Sequence, residues 1–228
     1  MPPAGPAFLL SLGLLVGREL MTEGASVPAA RLLTPDAASM NMTAPWRFKV
    51  RLETTKGDVV IEIQRAWAPR GVDRFFNLVH AGYYNDMRIT RVVQPKWAQF
   101  GIHGDPRIAK LWRDRPIPDD PRVLANERGT MAFAFAVPNG RTTQVFINLR
   151  DNRETHDKEP FVPFGRVISG MDVVDAWYAG YGEDAGSGIR SGKQGPIFEG
   201  GNTWLDREFP KLDSIRRAVI LNGPQAND

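Results

Sequence analysis

The stretch "RFKVRLETTKGDVVIEIQ", residues 47–64, decides the fold class. Apolar and polar side chains alternate over residues 47–55, and they alternate again over residues 58–64 after a Lys-Gly turn. Such alternation is typical of β-strands that bury one face, and two alternating runs joined by a short turn predict a β-hairpin. The fold therefore begins as an antiparallel sheet.

The rest of the chain continues this pattern with short strands and few helices. Residues 68–82 place apolar side chains at helical spacing between a Pro and a Gly, and residues 171–179 predict a second helix. Further strands are predicted over residues 87–93, 97–102, 129–136, 143–149, 164–168 and 216–221, and a Gly-rich loop over residues 180–201. We predict a mainly β fold, a closed eight-stranded antiparallel β-barrel capped by two α-helices.

Composition excludes several classes of protein. The chain has 228 residues, of which 42% are hydrophobic and 24% are charged, as in an ordinary globular domain. It has no cysteine, so disulfides, thiolate nucleophiles and Cys-bound zinc are excluded. The net charge of +3 is spread along the chain, so no nucleic-acid partner is predicted. No apolar run reaches the roughly 18–20 residues that span a bilayer, so no membrane span is predicted.

The N-terminal stretch differs from the rest of the chain. Residues 7–16 form an apolar run of signal-peptide length, and residues 25–30 offer the small residues of a cleavage site. Against a signal peptide, the first basic residue, Arg18, follows the apolar run instead of preceding it. The alternatives are a disordered leader, or a true start of translation at Met21 or Met40.

These features predict three parts: a leader, a globular domain and a short tail, at residues 1–45, 46–223 and 224–228. The location of the protein depends on the leader. A working signal peptide predicts a periplasmic or secreted protein, and otherwise we expect a cytoplasmic one.

Several common catalytic motifs are missing. The three His residues do not stand at the spacing of metal ligands, so neither a metal nor a cofactor is predicted. Residues 180–195 resemble a phosphate-binding loop, but Gln194 stands where Ser or Thr is required, and a helix precedes the stretch instead of a strand. No Ser lies in a Gly-x-Ser-x-Gly turn. Hydrolysis, phosphoryl transfer and redox chemistry therefore lack their usual residues.

Two strands carry polar and aromatic side chains instead. Arg91 lies within a β-branched run, and the alternation of a strand puts Trp97 and Gln99 on one face of the next strand. Gln144 and Phe146 share a face for the same reason. If these faces adjoin outside the barrel, they form a shallow patch with a guanidinium, amides and aromatic rings. The alternatives are that Phe146 belongs to the core and that Arg91 is an ordinary surface charge.

Blocks along the chain resemble one known family. They are "KGDVVIEI" and "VDRFFNLVHAGYYND", then "ITRVV…QFGIHGDP", "GTMAFAFAVPNGRTTQVFINL" and "FVPFGRVISGMDVVDAW", and a tail "LDREFPKLDSIRRAVIL". In this order, and over about residues 48–221, they resemble the cyclophilin family of peptidyl-prolyl cis-trans isomerases, in the form of a bacterial branch.

The resemblance implies an enzyme that accelerates rotation of X–Pro bonds in polypeptides and thereby assists protein folding. It implies proline-containing polypeptides as partners, no cofactor, and a monomer. It places the catalytic roles on Arg91, Gln99 and Phe146. Substrate-binding roles fall on Trp97, Ala134, Phe135, Gln144, His156 and Phe161.

The chain departs from the family pattern at the pocket. Lys96 stands where a Phe is expected, Trp97 where Met or Val is expected, and Phe161 where many members have His. Thr155 and His156 fall where tight binders of cyclosporin have a Trp, so weak binding of that cyclic peptide is predicted. Lys96 favours the alternative of a non-catalytic or weakly catalytic module that binds Pro segments. A third possibility, a lipocalin-like barrel, needs a hollow interior.

Overall fold

A computed structural model describes Met1 and residues 27–221. The predicted signal peptide falls largely on residues 2–26, and the predicted tail is residues 224–228. Both lie outside the described residues and stay predictions.

One antiparallel sheet of nine strands curls into a half-barrel. In space the strands follow the order β3-β9-β1-β2-β8-β6-β7-β5-β4. Their bounds are β1 Arg47–Thr54, β2 Gly57–Gln64, β3 Met87–Arg88, β4 Arg91–Val93, β5 Trp97–Phe100, β6 Thr130–Phe133, β7 Val145–Asn148, β8 Pro163–Ser169 and β9 Ser214–Leu221.

The prediction of a closed, eight-stranded barrel is wrong in strand number and in closure. The predicted strand 87–93 is two strands, because Ile89 and Thr90 are both buried and so break the alternation that a strand with one buried face requires. β3 pairs with β9, whereas β4 pairs with β5. These two strands are the opposite edges of the sheet, and no ladder joins them in the described part of the chain.

Residues 27–221 contain six α-helices instead of the two predicted. They are α1 Val27–Leu32, α2 Pro69–His80, α3 Pro106–Arg113, α4 Arg153–His156, α5 Met171–Asp175 and α6 Gly195–Glu208. The predicted helices correspond to α2 and α5. No helix in the described ranges combines the length and the apolar composition that crossing a bilayer requires.

The two longer missed helices, α3 and α6, support each other. α3 has a recognisable start, because the Asp105 carboxylate accepts a hydrogen bond from Arg107 N at 2.9 Å and Pro106 occupies the first turn. α6 lies in the predicted Gly-rich loop and is kinked at Gly201, where φ is +54°. Its buried residues Ile197, Phe198 and Leu205 pack with Ile102 and Ala109. Tertiary packing therefore stabilises a segment whose glycines disfavour a helix.

The concave face of the sheet buries the main hydrophobic core, which we call the core cluster. On β1 and β2 alternate residues are buried, as the hairpin pattern predicts. Phe133 and Phe164 stack at 4.9 Å within it, and α2 contributes Phe75 and Leu78. This packing fills the interior, where a lipocalin-like barrel would need a cavity.

Part of the leader packs on this core. The sequence places residues 1–45 outside the fold, but Leu32, Met40 and Ala44 belong to the core cluster. Trp112 Nε1 donates a hydrogen bond to Leu32 O at 2.8 Å. Apolar composition alone does not identify this contact, because Leu33 beside the buried Leu32 is 43% exposed.

Candidate active site

A pocket of about 350 Å³ opens on the convex face of the sheet, over β5, β6 and β7. Its floor is Phe146, which is 4% exposed. Phe146 packs with Ala132 and Ala134, and Trp97 and Phe161 lie against them. We call these five residues the pocket cluster; it is separate from the core cluster. Phe146 thus lines the pocket and is not a member of the core cluster.

Strand alternation explains this separation. On β7, Val145 and Ile147 face the core cluster and Phe146 faces the pocket. Pairing places Phe146 opposite Ala132 on one side and opposite Gln99 on the other. A small residue beside the ring leaves the space that becomes the pocket.

Arg91 is held at one side of the pocket. β4 pairs it with Gln99, and its Nη1 donates to Gln99 Oε1 at 2.9 Å. Its Nε donates to Glu183 Oε1 at 3.0 Å, and its Nη2 forms an ion pair with the same carboxylate. One face of the guanidinium lies 5.1 Å from the Trp97 ring centre.

Gly188 covers the Arg91 guanidinium. A Cβ on this glycine would lie 3.2 Å from Arg91 Cζ and 3.3 Å from each terminal nitrogen, so a side chain at this position would press against the face of the guanidinium. With these contacts the Arg91 side chain is only 15% exposed. The arginine is thus oriented from two edges and two faces.

Three buried glutamines continue from Arg91 into the protein. Gln99 Nε2 donates to Gln144 Oε1 at 2.8 Å. Gln144 and Gln194 donate to each other, at 2.9 Å and 3.0 Å, and Gln194 Nε2 also donates to Ser187 O at 3.2 Å. All three amides are at most 6% exposed.

His156 lies in the middle of the aromatic wall. Its ring centre is 5.3 Å from Trp97, 5.2 Å from Phe146 and 4.8 Å from Phe161. Burial lowers the pKa of His156 to about 4, so the ring is neutral at physiological pH. Its Nδ1 lies 3.2 Å from Asn148 Oδ1, which fixes the orientation of the imidazole.

The opposite rim combines aromatic rings with an ion pair. Phe135 and Phe161 lie 4.5 Å apart, and the Arg190 guanidinium is 5.1 Å and 5.6 Å from their centres. Arg190 also forms an ion pair with Glu159. The backbone N–H of Ala134 donates to Gln144 O at 2.9 Å, so this donor is already used within the protein.

The pocket brings together all nine residues that the sequence singles out, with eight lining it or packed beneath it and Gln144 bonded behind Gln99. The sequence missed the contributions of Glu183, Gly188, Ile189, Arg190 and Gln194, all from the predicted loop 180–201. The density of glycine was the available signal, because glycine lets a backbone lie close to other groups. Glycine density does not, however, indicate which side chains the backbone will approach. Among residues 27–221 no three His, Asp or Glu side chains gather as a metal site.

Comparison with known proteins identifies the family and the fold. The family model "Cyclophilin type peptidyl-prolyl cis-trans isomerase/CLD" matches residues 49–189. The chain belongs to the cyclophilin-type peptidyl-prolyl cis-trans isomerase family. The match includes β2 to β8 and every strand of the pocket, and it ends before Arg190 and Gln194.

Bacterial cyclophilins are among the similar proteins. Peptidyl-prolyl cis-trans isomerase B of Escherichia coli is 29% identical over 181 residues, which are 76% of this chain and 99% of that protein. Isomerase cyp18 of Streptomyces antibioticus is 33% identical over 138 residues, covering 56% of this chain and 81% of its own length. A cyclophilin-type isomerase of Cryptosporidium parvum has the same fold, with a TM-score of 0.57 at 19% identity, over 78% of this chain and all of that one.

Proposed function

We propose that this cyclophilin accelerates X–Pro rotation by seating the proline ring on Phe146 while Arg91 donates to the proline nitrogen. The observation that carries this proposal is an oriented guanidinium at the edge of an aromatic pocket that is separate from the core. A structural relative from Cryptosporidium parvum was determined in the presence of the dipeptide Ala-Pro, which is the smallest fragment of such a substrate.

The chemistry needs no nucleophile. Partial double-bond character gives peptide rotation a barrier of about 18–20 kcal/mol. Twisting the bond localises a lone pair on the proline nitrogen, which then accepts a hydrogen bond that it cannot accept in the planar amide. A donor that binds the twisted state better than the planar one lowers the barrier.

Arg91 has donors left for this task. A guanidinium carries five N–H groups. In the described part of the chain three of them are used, by Gln99 and by the two contacts to Glu183. One N–H on each terminal nitrogen stays available to a substrate in the pocket, and its direction is set by the planar fork.

The other residues hold the segment around the proline. We assign the ring-binding surface to Phe146, Trp97, His156 and Phe161, which enclose the floor. Gln99 binds a substrate carbonyl with the amide hydrogen that Gln144 does not use. Ala134 and Phe135 form the rim along which the substrate backbone lies, with the Ala134 carbonyl and not its N–H as the contact.

One feature favours the alternative of a weakly catalytic Pro-binding module. Glu183 holds two N–H groups of Arg91, and Gly188 covers one guanidinium face. A substrate must approach an arginine that is already occupied. Lys96, the other residue that favours this alternative, is exposed at the pocket mouth, and its amine lies 5.8 Å from the Trp97 ring centre. Its charge stays at the mouth, so the floor of the pocket remains apolar.

Exchange NMR on an X–Pro peptide tests the proposal. The wild type should increase the cis–trans exchange rate at catalytic concentration. Arg91→Ala should lose about 10²–10³-fold in kcat/KM, the usual cost of removing one transition-state donor. Arg70→Ala, an exposed arginine far from the pocket, is the control. Binding without accelerated exchange in the wild type would favour the module instead.

We also propose that the isomerase works as a monomer and that residues 46–223 form its domain, with 27–45 packed against it. The proposed mechanism assigns every role to residues of this one pocket and so does not require a second copy.

A further inference from the structure

Part of the structure around the pocket lies beyond the family match. Residues 190–194 follow the end of that match at residue 189, yet Gln194 is buried beneath the site and only 6% exposed. It lies at the start of α6. Its side chain turns back toward Gln144, away from the solvent that surrounds its neighbours Lys193 and Gly195.

The hydrogen bonds of the glutamines have one consistent direction. Ser187 O can only accept, so it requires the Nε2 of Gln194 to face it. Gln194 Oε1 then accepts from Gln144 Nε2, which turns Gln144 Oε1 toward Gln99. Gln99 therefore presents Nε2 to Gln144.

The fixed direction of these hydrogen bonds extends to Arg91. With its Nε2 committed to Gln144, Gln99 has its Oε1 free to accept from Arg91 Nη1 at 2.9 Å. If the Gln144 amide flipped, its N–H groups would face those of Gln99. Gln99 would then have to flip as well, and its N–H groups would face Arg91 in place of the accepting oxygen. The reciprocal bonds with Gln194 prevent that flip.

We propose that Gln194 is a positioning residue for the isomerase: through Gln144 and Gln99 it fixes the orientation of the Arg91 guanidinium. This inference rests on the proposed function, since it assigns Arg91 the role argued above. Gln194 does not touch the substrate. Its effect is on the fraction of molecules in which the arginine is aimed correctly.

The first test removes the amide and keeps the volume. Gln194→Met should lower kcat/KM by about five- to tenfold in exchange NMR, because Gln144 loses the partner that sets its orientation. Lys193→Ala, an exposed neighbour in the same segment, should stay within twofold of the wild type. Circular dichroism and an unfolding curve for each variant establish that the rate belongs to folded protein.

The second test uses a group that can switch its hydrogen bonds. A protonated carboxylic acid has one O–H to donate and a carbonyl oxygen to accept, which is enough for the reciprocal pair with Gln144 but not for Ser187 O as well, whereas a carboxylate only accepts. Gln194→Glu should therefore restore the reciprocal pair only when protonated, and burial raises the pKa of such a carboxyl. Relative to the wild type at the same pH, its kcat/KM should rise several-fold between pH 8 and pH 5.5. A purely structural role gives no such rise in the folded fraction.

The outcomes separate this inference from the function on which it rests. If the wild type is active and Arg91→Ala is not, but Gln194→Met matches Lys193→Ala, the positioning role is refuted and the isomerase stands. If Arg91→Ala is as active as the wild type, the proposed mechanism itself is refuted. Should Gln194→Met fail to fold, the pH series decides: a ratio of Gln194→Glu to wild type that does not change with pH refutes the role.

Discussion

The two faces of the strands β6 and β7 bury aromatic rings for different purposes. Phe133 points into the core cluster, where it stacks on Phe164 and is fully buried. Phe146, opposite Ala132 on the paired strand, is nearly as buried but lines a pocket. Burial alone does not distinguish a structural ring from a binding ring. What distinguishes them is whether the space above the ring is filled by the protein or left for a ligand.

The most direct test of the different roles of these two rings is to remove each of them in turn. Phe133→Ala should cost about 3–5 kcal/mol of unfolding free energy, because it opens a cavity in a packed core. The surviving folded protein should keep its activity. Phe146→Ala should cost less stability, since one side of its ring is already open, and should lower kcat/KM at least tenfold. Urea unfolding and exchange NMR on the same samples measure both. A larger stability loss in Phe146→Ala, with normal activity of the folded fraction, would contradict the assignment.

The pocket face can next be tested by changing geometry while keeping charge. Arg91→Lys keeps a cation but cannot bond Gln99 and Glu183 at once through a planar fork. We expect a loss of kcat/KM close to that of Arg91→Ala, roughly 10²-fold. The midpoint of urea unfolding should stay nearly constant, because most substitutions outside the core have little effect on stability. Near-wild-type activity in Arg91→Lys would show that charge suffices and orientation does not matter.

A third comparison concerns ligands larger than one proline segment. The resemblance to cyclophilins predicts that Thr155 and His156 fall where tight cyclosporin binders have a Trp, and Trp97 contacts Arg91 and His156. Losing one aromatic anchor costs roughly 2 kcal/mol, or roughly thirtyfold in affinity. We expect weak inhibition in a titration of cyclosporin against isomerase activity, and tighter inhibition for Thr155→Trp. Inhibition of the wild type at low nanomolar concentration would show that another side chain replaces that anchor.

The smallest expected effect concerns the pH dependence of stability. The lowered pKa of His156, caused chiefly by burial, lies below the value of about 6.5 in an unfolded chain. Between these values the unfolded state binds a proton that the folded state does not, so stability falls as pH drops from 6.5 toward 4. Burial lowers the pKa of His103 as well, so His156→Gln should remove only part of this loss. Urea unfolding at pH 7 and pH 5 checks it; an unchanged slope in the variant would contradict it.

The parts of the site that could be predicted are those with local signals. Alternation placed Trp97 beside Gln99 and Gln144 beside Phe146, and the resemblance to cyclophilins joined these pairs to Arg91. The contacts of Glu183 could not be found this way, because 92 residues separate it from Arg91 and neither strand pairing nor helical spacing links them.

The fold divides in the same way. The hairpin β1–β2 and helix α2 follow from periodicity, which depends on neighbours a few residues away. Helix α6 does not, because its glycines disfavour a helix and its packing on α3 is needed to stabilise it. The break in the predicted strand 87–93 likewise lies at Ile89 and Thr90, whose joint burial is decided by the rest of the molecule.

The two edges of the sheet have a consequence for self-association. An unfolded polypeptide can attach to an exposed sheet edge by adding a strand, and a long free edge also invites self-association. Here β3 has two residues and β4 has three, so each edge strand is itself short. β3 pairs only with Ser214 and Ile215 of β9, and contacts from Asp86 and Asn85 to Arg216 and Ala218 cover the next part of that strand. A half-barrel that stays open can therefore limit self-association through its edges by keeping its edge strands short and partly covered.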